Sequence, residues 1–93
     1  MRLPDVTGVT YLGAFLVHLT FSDHLEGDVD LEPFFRGRSG LLAELASPEA
    51  ISAVYLDEEA GTIAWPNGVD LDPLVLWSEA TGRPIPLPAT TDA

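Results

Sequence analysis

Glu26, Asp28, Asp30 and Glu32 recur at every second residue, and on an extended strand that spacing projects all four carboxylates from one face. Such a stripe can supply oxygen ligands to a hard cation, dock the arginine or lysine side chains of a partner, or form the wetted side of an antiparallel sheet. The cation reading is weakened by a spacing rule. A helix-loop-helix calcium loop needs glycine at its sixth position, and counted from Asp28 that residue is Pro33. The other two readings stay open.

The remaining groups with chemical potential are few. His18 and His24 are the only imidazoles, and Ser22, Asp23 and His24 line up a hydroxyl, a carboxylate and a base in adjacent positions. Neighbours on a turn point in different directions, whereas members of a catalytic triad must converge in space, so His24 reads as a turn residue. His18 falls on the polar side of an alternating segment and reads as a half-exposed sheet residue. Arg36 and Arg38 flank Gly37 and hold two of the four basic side chains, a weak version of a phosphate cradle and more simply partners for the chain's own acids. Trp65 and Trp77 either build the core or form an aromatic docking surface. No catalytic, cofactor-binding or metal-binding residue is assigned. Glu26, Asp28, Asp30, Glu32 and Trp77 are the candidates for contact with a partner.

These residues need a scaffold, and the hydrophobic pattern supplies one. Val6, Val9 and Tyr11 mark a first strand, with Gly13 turning into a second in which Phe15, Val17, Leu19 and Phe21 alternate with Ala14, Leu16, His18 and Thr20. Period two is that of a strand with one buried face, here the odd-numbered one. After a tight turn at Ser22, Asp23 and His24, the residues Leu25, Val29 and Leu31 alternate with acids, which completes an antiparallel meander. Phe34 and Phe35 fall in a loop or short helical turn, and Leu41 to Leu45 in one or two turns of helix. Ser47 before Pro48 and Glu49 has the form of a capped helix start. A second hairpin follows, from Ala53–Leu56 to Thr62–Trp65. Asp72 and Pro73 repeat the cap signal and open a C-terminal helix that Gly82 ends. The fold class is therefore α+β, with residues 1–82 as one domain and 83–93 as an extended or disordered tail interrupted by Pro84, Pro86 and Pro88.

Composition narrows the field further. Ninety-three residues carry 15 Asp and Glu against four Arg, for a formal net charge of −11. A field of that sign repels phosphate backbones and anionic lipid, so neither direct contact with nucleic acid nor a membrane partner is expected, while a basic partner protein would be drawn in. The chain has no cysteine, which removes disulfides, thiolate metal sites and thiol catalysis together. Met1, Arg2 and Leu3 run directly into Pro4 and Asp5 without an apolar signal segment, so a cytoplasmic location is the expectation.

One stretch has a specific look: Trp65-Pro66-Asn67-Gly68-Val69-Asp70-Leu71-Asp72-Pro73 resembles the signature of a small bacterial family, the domain of unknown function 2442. Phe21-Ser22-Asp23, Gly27-Asp28-Val29-Asp30-Leu31, Ser47-Pro48 and Gly61-Thr62-Ile63 are similar to that family's order of elements, and together they cover about residues 4 to 77. His24 and Trp77 depart from the family's usual Gly and Tyr. The resemblance implies a small α+β domain with an antiparallel sheet and no established enzymatic activity. It also implies a genetic setting beside a second small protein, in pairs that look like toxin-antitoxin modules with this family as the antitoxin. Some members of the family carry a helix-turn-helix domain, which the few residues after Gly82 do not supply.

The leading expectation is thus an acidic protein-interaction module, not an enzyme and without cofactor, with an antitoxin role implied only by the resemblance. Two rivals remain. One is a metal-dependent or acid/base enzyme using the carboxylate stripe, which would need a cleft that separates the acids' pKa values. The other is a structural homo-oligomer that pairs exposed strand edges or the helix bearing Trp77.

Overall fold

Val17, Leu19 and Phe21 all point to one side of a strand and are buried, as their spacing requires. The computed structural model describes residues 3–85. Around that strand the chain builds β1 (Val6–Gly13), β2 (Leu16–Phe21) and β3 (Glu26–Asp30), then α1 (Glu32–Phe35), a 3-10 helix (Gly40–Leu45) and α2 (Pro48–Ile51). A hairpin of β4 (Tyr55–Asp57) and β5 (Thr62–Ala64) follows, and α3 (Pro73–Thr81) closes the fold. The first three strands form an antiparallel sheet in the order β1-β2-β3, and β4 and β5 form a second, two-stranded sheet. This is the α+β architecture read from the sequence. Arg83 to Ile85 have neither helix nor strand, and the rest of the expected tail, 86–93, lies outside the described residues, as do residues 1–2.

The core lies on one side of the three-stranded sheet. The hairpin packs against β1 and α3 packs against β3, and a single hydrophobic cluster joins Val17, Leu19 and Val29 of the sheet to Ile63, Trp65 and Leu76. The backbone N–H of Val6 donates to the Gly61 carbonyl at 2.9 Å, linking the two sheets at one point. Gly27, on the core-facing side of β3, is where α3 comes closest. A Cβ there would lie 2.9 Å from the Ala80 carbonyl carbon, so only glycine admits the helix.

Local signals account for most element ends. Ser47 Oγ accepts from Ala50 N at 3.2 Å and Asp72 Oδ1 accepts from Leu74 N at 2.9 Å, each in front of a proline in the first helical turn. Gly82 ends α3 in the left-handed conformation, with its N–H on the Ser78 carbonyl. The 65–73 stretch is a structural signature: Gly68 N donates to Trp65 O at 3.0 Å, Asn67 Oδ1 accepts from Val69 N, and Asn67 Nδ2 reaches Leu41 O at 3.2 Å. The indole N–H of Trp65, itself fully buried, donates to Ile51 O at 3.2 Å.

The structure moves several boundaries. The β1–β2 reversal occupies Ala14 and Phe15, with Gly13 at φ 113° and Ala14 at φ 51°, so Phe15 leaves the strand and is only half-buried. Strand β4 begins at Tyr55, two residues later than Ala53, because Ala53 N and Val54 N donate back to the end of α2. Strand β5 stops at Ala64 because Trp65 N is bonded to Val69 O across the turn. Glu32 is not on the third strand. Asp30 Oδ1 accepts from Glu32 N at 3.0 Å and Phe34 N donates to Leu31 O, which coils the chain into α1.

Candidate interaction face

Alternation along β3 buries Val29 toward the core and leaves Glu26, Asp28 and Asp30 on the opposite, exposed side. Three of the four expected carboxylates therefore share a face, and the fourth turns away. Glu32, on α1, forms an ion pair with Arg36 one helical turn later. Arg38 lines a shallow cavity of about 230 Å³ with Asp30, Phe34, Val75 and Glu79.

The neighbouring strand decides how those acids are arranged. In the β2–β3 ladder His18 stands opposite Asp28, Thr20 opposite Glu26, and Leu16 opposite Asp30. His18 Nδ1 lies 2.7 Å from Asp28 Oδ1 and Nε2 lies 2.8 Å from Glu26 Oε1, so the ring is held between two carboxylates. The hydrogen bond to Asp28, then that to Glu26, raises the His18 pKa above the ordinary imidazole value, since both contacts favour the charged ring. The acids remain accessible, at 63% and 55% exposure for Glu26 and Asp28. Leu16 stands on the same side as His18, and Leu12 on β1 is also exposed, so the hairpin end of the sheet adds apolar surface next to the acids.

Sequence reasoning missed the role of His18. The signal was present in the turn: a reversal centred on Asp23 sets residue 18 opposite residue 28, and the strand period puts both side chains on one face.

Trp77 does not belong to this face. Its ring is buried, and its indole Nε1 donates to Asp23 Oδ2 at 2.7 Å, so it anchors α3 from the core side instead of lining a docking surface. Ser22, Asp23 and His24 likewise fail to converge. Ser22 Oγ accepts from Asp5 N, Asp23 holds Trp77 and Leu25 N, and His24 sits at φ 72° in the turn. Among the described residues no three His, Asp or Glu side chains are grouped to hold a metal ion. At the best cluster, the two ring nitrogens of His18 point at carboxylate oxygens on either side rather than with them toward a common centre. No helix among the described residues is long and apolar enough to cross a membrane.

Comparison with known proteins places residues 6–82 within a family described as "Protein of unknown function (DUF2442)". No curated protein matches the chain significantly. A crystal structure from Nitrosomonas europaea, of a "Putative DNA Binding Protein", superposes with a TM-score of 0.71 at 24% identity, over 86% of this chain and 50% of that one. At that identity the likeness is one of fold, and this chain spans half the length of its neighbour. The finding corrects the exclusion of direct nucleic-acid contact. That exclusion rests on net charge, which sums a whole surface, whereas contact is decided by local patches and by whatever else the chain is joined to. A protein sharing this fold is described as a "Putative DNA Binding Protein", so net charge alone does not support the exclusion.

Proposed function

Since the chain belongs to the DUF2442 family, a family of unknown function, we propose its role from its own surface: it is a protein-interaction module that presents the open side of the β1–β3 sheet to a basic partner. One observation carries the reading. The hairpin and α3 pack on the core side of the sheet, while the other side exposes Glu26, Asp28 and Asp30 beside Leu12 and Leu16. Carboxylates give such a face electrostatic steering and charge-assisted hydrogen bonds, and exposed leucines give it contact area. The role is binding rather than catalysis, because the acids lie on a solvated sheet face and not in a cleft that would desolvate them.

The finer form of the proposal makes this chain the cytoplasmic antitoxin half of a two-protein module. It draws on the family resemblance as well as on the face. Co-expression with the product of the adjacent gene tests it: the two are expected to co-purify at low salt and to separate as salt screens the acids. Failure to co-purify at low salt would sink it.

A second reading is contact with DNA, favoured by the description of the Nitrosomonas europaea protein of like fold. Arg36 and Arg38, following α1, would be the local cationic element, although Arg36 is already paired with Glu32. A mobility-shift assay with duplex DNA at low salt separates the two readings. Retardation by this chain alone supports DNA contact, and retardation only with the partner present supports the protein interaction.

A further inference from the structure

The open face carries a titratable group of its own. His18 reaches Asp28 through Nδ1 and Glu26 through Nε2, at 2.7 and 2.8 Å. Ionised carboxylates only accept hydrogen bonds, and a neutral imidazole has only one N–H to donate. Both contacts hold together only when the ring is an imidazolium. After loss of a proton, one nitrogen turns a lone pair toward a carboxylate oxygen and that contact must open.

We propose that His18 is a proton-operated closure of the Glu26–Asp28 carboxylate pair, occupying both acids when charged and freeing one of them for an incoming cationic side chain when neutral. This rests on the reading of the sheet face as an interaction surface and adds its regulation. The surroundings leave the pair as the dominant influence. On β1, His18 faces Thr10, and its own strand offers Leu16 and Thr20 on that side, all uncharged. From β3 come Glu26, Asp28 and, opposite Leu16, Asp30, whose Oδ1 is engaged by Glu32 N. Among the described residues, every charged group that these strands turn toward the ring is therefore an acid. With His18 charged, His18, Glu26 and Asp28 together sum to one negative charge; with it neutral, they sum to two.

Occupation of the pair by a partner and protonation of His18 are consequently antagonistic, and linkage makes the antagonism reciprocal. A cationic partner binds more tightly as pH rises through the His18 titration, and its arrival drives a proton off the ring. An imidazole titrating above its ordinary value of about 6.5 places this response on the alkaline side of that pH.

The experiment is an NMR titration of the His18 ring in the intact chain and in the exposed-site variants Glu26→Gln and Asp28→Asn, with and without an oligo-arginine peptide. The His18 midpoint is expected above the ordinary imidazole value, lower in each variant, and lower again with peptide. Peptide binding is expected to strengthen several-fold on the alkaline side of that midpoint, and His18→Gln to bind it without that pH dependence. A midpoint at or below the ordinary value, or one that neither variant moves, overturns the closure. Binding whose pH dependence survives in His18→Gln overturns its coupling to the partner. If the peptide binds at no pH while His18 still titrates high and responds to both variants, the interaction face is refuted and the closure stands on the titration.

Discussion

The indole Nε1 of Trp77 donates a 2.7 Å hydrogen bond to Asp23 Oδ2, joining residues 54 positions apart. The bond fastens α3 to the β2–β3 turn, and the other oxygen of the same carboxylate accepts from Leu25 N at 3.0 Å to shape that turn. A hydrogen bond to a charged acceptor contributes about 1.5–3 kcal/mol, so Trp77→Phe should lower the unfolding free energy by an amount in that range, seen as a lower urea midpoint with little change in slope. Asp23→Ala should lower it as well, and the double variant should lose less than the two singles combined. Additive losses would mean that the two residues do not act through each other.

Gly27→Ala places a methyl against the Ala80 carbonyl, where backbone rather than a movable side chain fills the space. Overpacking of this kind costs about 1–3 kcal/mol or more. Loss of the near-ultraviolet signal of Trp77 ahead of global unfolding is the expected signature, because α3 would lift from β3 first. A variant as stable as the parent would contradict the close approach.

Trp65 is fully buried, meets Phe35 edge to face with ring centroids 5.3 Å apart, and donates its N–H to Ile51 O. Trp65→Ala should destabilise by about 3–5 kcal/mol, a large part of the total stability of a domain this small. Thermal denaturation would show it as a transition shifted far down or already under way at room temperature.

The pH dependence has a definite sign. The folded state raises the His18 pKa, through Asp28 first and Glu26 second, so the folded protein holds this proton more tightly than the unfolded chain does. The stability gained is present in full below the unfolded value of about 6.5 and is lost as pH rises through the folded value. The difference in unfolding free energy between the parent and His18→Gln should therefore shrink from acid toward alkaline pH. A difference that grows with pH would refute the assignment.

Much of the fold was legible because its determinants are local. The period-two run from Val17 to Phe21, the cap-and-proline pairs Ser47-Pro48 and Asp72-Pro73, and Gly82 after the last helix each express a preference of a few neighbouring residues. The boundaries that shifted did so where a backbone group found a competing partner, as Val54 N did on Ile51 O and Trp65 N on Val69 O. The candidate face was legible in part. Acid at every second residue predicted an acidic strand side, yet Glu32 left it where its backbone N–H bonds Asp30 Oδ1 and the chain coils into α1.

By itself the sequence determined which side of β2 and β3 is apolar, where α2 and α3 start, that Gly82 ends α3, and how much negative charge the chain carries. Only the tertiary structure decided what individual polar groups do: that Asp23 holds Trp77, that Glu32 pairs with Arg36, and that His18 lies between Glu26 and Asp28. Burial and capping preferences act over a few residues and leave a pattern in the chain. A side chain's partner depends on strand register and on which helix is laid across which sheet, and those are set by the packing of the whole core at once.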